Sequence, residues 1–189
     1  MTKLYYSISV SLLLFIFFTI KINAQGYVAI DESPHDVSYY RQRKITPPLV
    51  KVLYGRPQKK DSVVFGNTVP FNKLWRTGAN EATEVKFYKD VQFGEVKVKA
   101  GTYVLVTIPG KDKWEVILNS QTDVWGSFQY NPTFNVAKIT LPVKKAEELE
   151  SFSISFSYAE EQLQMVLGWD TTRVNIPLKF KNASFVTKR

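Results

Sequence analysis

The chain has 189 residues, with 25 Lys and Arg against 17 Asp and Glu, a net charge of +8, 44% hydrophobic residues and no cysteine. The missing cysteines exclude a disulfide framework, a thiol nucleophile, a Cys-based zinc site and a lipidated-cysteine anchor, so stability must come from a packed core. The length suits one domain with a substantial core.

Lys3 supplies a positive start, Leu12-Leu13-Leu14-Phe15-Ile16-Phe17-Phe18 an apolar run, and Ile22-Asn23-Ala24 a small-residue cleavage signal before Gln25. Residues 1–24 therefore read as a secretory signal peptide cut near Ala24, with export to the periplasm or the cell exterior. Lys21 and Asn23 interrupt the apolar stretch, so no transmembrane segment is expected in the mature chain. Cleavage removes Lys3 and Lys21, leaving 23 basic against 17 acidic residues and a basic surface suited to solubility or to an anionic envelope. Nucleic acid is not an expected partner of an exported chain.

Residues 25–48 hold Pro34, Pro47 and Pro48, an acidic group (Asp31, Glu32, Asp36) and a basic one (Arg41, Arg43, Lys44), and are expected to form an irregular arm. From residue 49 to 189 the chain reads as a single β-domain. Strands are predicted over 49–54, 84–88, 95–99, 102–108, 114–119 and 134–141, separated by Gly, Pro and Asp turn signals. The strongest period of two lies in Ser151 to Tyr158, where Phe152, Ile154, Phe156 and Tyr158 alternate with serines. Leu163 to Trp169 and Val174 to Phe180 repeat it, so these three strands are expected to form a meander with turns at Ala159-Glu160-Glu161 and Asp170-Thr171-Thr172. Pro177 marks an edge or a bulge, and Lys144 to Glu150 a charged loop. About nine short strands without a long amphipathic helix describe an all-β, antiparallel β-sandwich of jelly-roll or Greek-key type.

Several stretches resemble one known family: Tyr54-Gly55-Arg56-Pro57, Phe65-Gly66 with Val69-Pro70, Trp75 to Thr83, Ala100-Gly101-Thr102-Tyr103, Ile108-Pro109-Gly110 before Trp114, and Trp125-Gly126 with Tyr130. On these motifs residues 47–180 resemble domain of unknown function 2911, a bacterial envelope family found largely in Bacteroidetes. The resemblance implies a secreted or periplasmic β-rich domain and no particular activity, substrate or cofactor. The chain departs from the family pattern at Asp61-Ser62-Val63-Val64, where a Gly-Arg pair is common, at Asn72, where glycine is usual, and at Asn135, where aspartate is frequent.

The run Trp75-Arg76-Thr77-Gly78-Ala79-Asn80-Glu81-Ala82-Thr83 concentrates an indole, a guanidinium, an amide and a carboxylate without strand or helix period. It admits two readings. In one, Arg76 pairs with Glu81 in a buried clamp, Asn80 caps backbone groups and Gly78 turns the chain with a positive φ. In the other, Trp75, Arg76, Asn80 and Glu81, joined by Arg56, Trp125 and Tyr130, bind a ligand by stacking and charged hydrogen bonds. Trp114 and Trp169 fall in phase with core residues, whereas Trp75 and Trp125 do not.

Enzyme signatures are missing: the single histidine, His35, lies in the arm, and no Gly-x-Ser-x-Gly elbow exists. His35 with Asp31, Glu32 or Asp36 is too weak a pattern for a metal, and no cofactor is indicated. The sequence thus favours a non-catalytic module binding an envelope carbohydrate, peptide or protein. The alternatives are a hydrolase of an envelope polymer with Glu81 as general acid or base, needing a second carboxylate such as the distant Asp123 or Asp170, and a structural assembly partner.

Overall fold

A computed structural model describes residues 29–159 and 162–181; the expected signal peptide, residues 1–24, lies outside them. The compact unit from Asp31 onward is all-β. Its strands are β1 (His35–Tyr40), β2 (Val50–Gly55), β3 (Thr83–Phe87), β4 (Val91–Phe93), β5 (Val96–Val98), β6 (Gly101–Pro109), β7 (Lys113–Asn119), β8 (Asn135–Ala159) and β9 (Gln162–Phe180). All pairings are antiparallel, in the order β1-β2-β3-β6-β7-β8-β9-β4-β5. No helix among the described residues is long and apolar enough to cross a membrane.

The 25-residue β8 makes the sandwich. Its first part, Asn135 to Pro142, pairs with β7, and from Val143 onward it pairs with β9. One long strand thereby belongs to both layers. The inward residues of β2, β3 and β7 (Val52, Val85, Phe87, Val116) meet those of β8 and β9 (Phe152, Ile154, Met165, Leu167, Ile176) in one core cluster. The alternation behind this packing is the predicted one, because period two puts every second side chain on the buried face.

Three local expectations are corrected. The arm is not wholly irregular: β1 pairs residue by residue with β2, from His35 opposite Gly55 to Tyr40 opposite Val50. Its polarity is reversed, with Val37 and Tyr39 exposed and Asp36 and Ser38 half-buried, which hides the strand from a hydrophobic pattern. The expected meander is two strands instead of three, since the polar segments 144–150 and 170–172 continue β8 and β9. Their turn-like residues mark register shifts between Lys145 and Leu149 and between Leu149 and Ser153, where Asp170 takes a φ of 49°. Ladder pairing with the facing strand overrides local turn preference.

At that irregularity another segment joins β8: Lys59 N–H donates to Glu150 O (2.9 Å) and Phe152 N–H to Pro57 O (2.9 Å). The chain leaving β2 is thus fastened to the opposite layer. Pro177 sits where β9 has left β8 and its carbonyl accepts from Gly94 N–H at 2.9 Å, consistent with a residue that has no N–H to donate.

Candidate functional site

The Trp75 to Thr83 run is bonded to β6 at Thr107, to the end of β2 at Gly55 and to Val124. Trp75 bridges to β6 by two backbone bonds with Thr107, at 2.8 and 2.9 Å. Its indole belongs to the core, 5.1 Å from Phe152, 6.0 Å from Trp114 and stacked 6.0 Å from Trp169. The indole Nε1 donates to Gly78 O at 3.1 Å, so the ring braces the turn that follows it. Thr77, fully buried with a φ of 58°, is held by its hydroxyl to Thr107 Oγ1 (3.0 Å), while its carbonyl accepts from Thr83 Oγ1 (2.7 Å). A β-branched residue in that conformation costs about 1–2 kcal/mol, which this network has to offset.

Gly78 does not turn the chain with a positive φ, as the clamp reading expected; Thr77 and Asn80 do. Gly78 and Gly55 serve another purpose, close approach of two backbones. A Cβ on Gly55 would lie 2.0 Å from Ala79 O, and one on Gly78 would lie 2.9 Å from Gly55 O.

The Arg76–Glu81 pair is not formed either. Glu81 stands 3.1 Å from His35 Nε2, and Asn80 Nδ2 donates to Asp31 Oδ1 (3.0 Å) and Ser33 O (3.4 Å). These two residues fasten the run to the chain entering β1. The Ser33 N–H first, then the Asn80 amide, hold the exposed Asp31 carboxyl below the ordinary carboxylate range. Arg56 joins the same seam, donating to Asp36 Oδ2 (2.9 Å) and Ser153 Oγ (3.1 Å), and the Tyr54 hydroxyl donates to the same Asp36 oxygen (2.9 Å). Among the described residues no three His, Cys, Asp or Glu side chains converge as metal ligands.

Arg76 stands apart. Its Nε is buried without a hydrogen-bond partner among the described residues, and it takes part in no ion pair there. It lines a cleft of about 270 Å³ with Lys73, Pro57, Pro70 and Ser127, floored by Trp75 and Trp169. One terminal nitrogen lies next to Gly126, where a Cβ would be 3.4 Å from Nη1.

The other sequence candidates do not line this cleft. Trp125 is 57% exposed and stacks on Phe128 at 5.4 Å, so the two off-phase indoles do not flank one opening. Tyr130 is half-buried against the small cluster of Ala82, Val104, Val106 and Ile117, and its hydroxyl accepts from Asn135 Nδ2 at 2.8 Å. Sequence reasoning missed Lys73, Pro57, Pro70 and Ser127 as cleft residues. The available signal covered Pro57 and Pro70, whose motifs, Tyr54 to Pro57 and Val69-Pro70, share one resemblance with the run; Lys73 and Ser127 lie outside the motifs.

A family model described as "Protein of unknown function (DUF2911)" matches residues 33–178. The chain belongs to this family. Of the stretches that carry the family resemblance, Pro57, Val69-Pro70 and the start of the Trp75 run meet around the Arg76 cleft. No curated protein and no solved structure matches the chain.

Proposed function

We propose that this DUF2911 chain is an exported, non-catalytic binding module whose Arg76 cleft receives a small carboxylate-bearing ligand, the acidic end of an envelope carbohydrate or peptide. The observation that carries this reading is the Arg76 guanidinium, which lines the cleft and takes part in no ion pair among the described residues. A guanidinium without a counter-charge can offer its outer nitrogens to a carboxylate in the cleft, and a charge-assisted bond of this kind is worth about 1.5–3 kcal/mol. Lys73 adds a second cation, while the prolines and the indole edges of Trp75 and Trp169 supply apolar contact. A volume near 270 Å³ fits one sugar acid or a peptide end, and little more.

Glu81 lies outside the cleft and pairs with His35, and no carboxylate among the described residues lines this opening to serve the hydrolase alternative. The test is calorimetric titration of uronic-acid sugars and short peptides, each with a free or an amidated carboxyl. Free carboxylates should bind, and Arg76→Met should weaken them about 10- to 100-fold, the value of a hydrogen bond to a charged group. Because the Arg76 side chain forms no ion pair among the described residues, the same variant should melt no lower than the parent. A folded Arg76→Met protein that binds as before refutes the site.

A further inference from the structure

The edge of the sheet farthest along its order from β1 carries a second group of cations. Register places Lys97 of β5 opposite Gln92 of β4, and Gln92 opposite Lys179 of β9, so the three side chains form one row across the outward face. Lys99 pairs with Asp90 at 2.8 Å beside this row, and Lys181 follows β9. These six polar residues surround a concave opening of about 440 Å³ whose floor includes Val91 and Val98. Lys97, Lys179 and Lys181 form no ion pair among the described residues, so one acid stands among four ammonium groups.

We infer that this face is a second binding surface, for a linear anionic polysaccharide. Adjacent strands are about 4.8 Å apart, so the Lys97 and Lys179 backbones lie roughly 10 Å from each other across β4. Charges so spaced meet a chain with repeated anionic groups better than one small anion. The opening is concave, which admits a polymer chain and excludes the plane of a bilayer. The lysines project from the face and not from the free edge of β5, where an acidic peptide would add as a strand. Gln92, in the centre of the row and without a side-chain partner among the described residues, offers amide donors and an acceptor to hydroxyls beside the charges. No aromatic ring among the described residues lines the opening, so charge and not stacking provides the affinity there.

The experiment measures binding of polygalacturonate oligomers by calorimetry in low and physiological salt, with dextran, poly-glutamate and phosphatidylglycerol vesicles as comparison probes. Expected are salt-sensitive binding of polygalacturonate, none of dextran, and about a 3- to 100-fold loss in Lys97→Gln/Lys179→Gln/Lys181→Gln, from about 1.5- to 5-fold per exposed charge pair. Asp90→Asn keeps the bond from Ala100 N–H and frees Lys99, so it should bind two- to fivefold tighter. An unchanged melting temperature shows that the triple variant is folded, and its Arg76-cleft affinity should equal that of the parent. The inference is overturned if polygalacturonate does not bind, if the triple variant binds within twofold of the parent, if Asp90→Asn weakens binding, or if poly-glutamate or vesicles bind equally well through the same lysines.

Discussion

Gly55→Ala isolates the close contact on which the Trp75 run depends. No unusual φ is needed at Gly55, so the effect is steric: the new methyl would sit 2.0 Å from Ala79 O, 2.7 Å from Ala79 C and 3.0 Å from Ala79 N. All three are backbone atoms that no rotamer change can move. Relieving the clash requires the β2 end and the run to separate by more than about 1 Å, since nonbonded carbon atoms settle near 3.5–4.0 Å. That separation breaks the Ala79 N–H to Gly55 O bond (3.3 Å) and disturbs the Gly78 carbonyl on Trp75 Nε1 (3.1 Å). Overpacking costs about 1–3 kcal/mol and each lost hydrogen bond about 1, so the sum is about 3–5 kcal/mol. At about 2–4 °C per kcal/mol for a domain of this size, the melting temperature should fall by about 6–20 °C. Thermal denaturation of Gly55→Ala beside Gly168→Ala is the assay. At Gly168 the nearest atoms are side-chain atoms, Arg173 Cδ at 2.9 Å and Leu149 Cδ1 at 3.1 Å, which need shift by only a few tenths of an ångström although Arg173 is held to backbone carbonyls, so a smaller loss is expected. Equal losses in the two variants, or a drop below about 3 °C at Gly55, would refute the reasoning.

Three further outcomes follow from the same geometry. Trp75→Ala should cost about 3–5 kcal/mol in denaturant unfolding, as for other large core aromatics, and Trp75→Phe about 1–3, because it leaves Gly78 O without its donor. Asn72 has a φ of 59°, so Asn72→Gly should be neutral or stabilising and Asn72→Ala should lower stability by about 1 kcal/mol, read from urea midpoints. Burial, chiefly, raises the Tyr54 hydroxyl to about 12 from an ordinary value of 10.0. The unfolded chain then loses this proton first, so the stabilisation is intact below pH 10, declines above it and is gone beyond about pH 12. Melting temperatures from pH 9 to 12 should fall more steeply for the parent than for Tyr54→Phe, and parallel curves would contradict the assignment.

Within the Trp75 run, legibility differed residue by residue. Trp114 and Trp169 were placed in the core by their phase in a strand, because alternation is a property of the backbone. Trp75 had no such phase, yet it too belongs to the core; its position comes from the bridge to Thr107 and from rings on β7, β8 and β9, none near it in sequence. Arg76 and Glu81 have opposite charges and short spacing, which suggested a clamp. The turns at Thr77 and Asn80 send Glu81 to His35, and leave Arg76 facing the cleft.

By itself the sequence determined the all-β class, most strand positions, the in-phase core and the family, because period-two patterning and turn residues act over a few neighbours. Tertiary structure alone decided that 144–150 and 170–172 continue strands, that β1 joins the sheet, and that Arg76 meets Lys73, Pro57, Pro70 and Ser127 in one cleft. These depend on contacts between residues far apart in the chain, where the pairing of whole strands outweighs the local preference of any one segment.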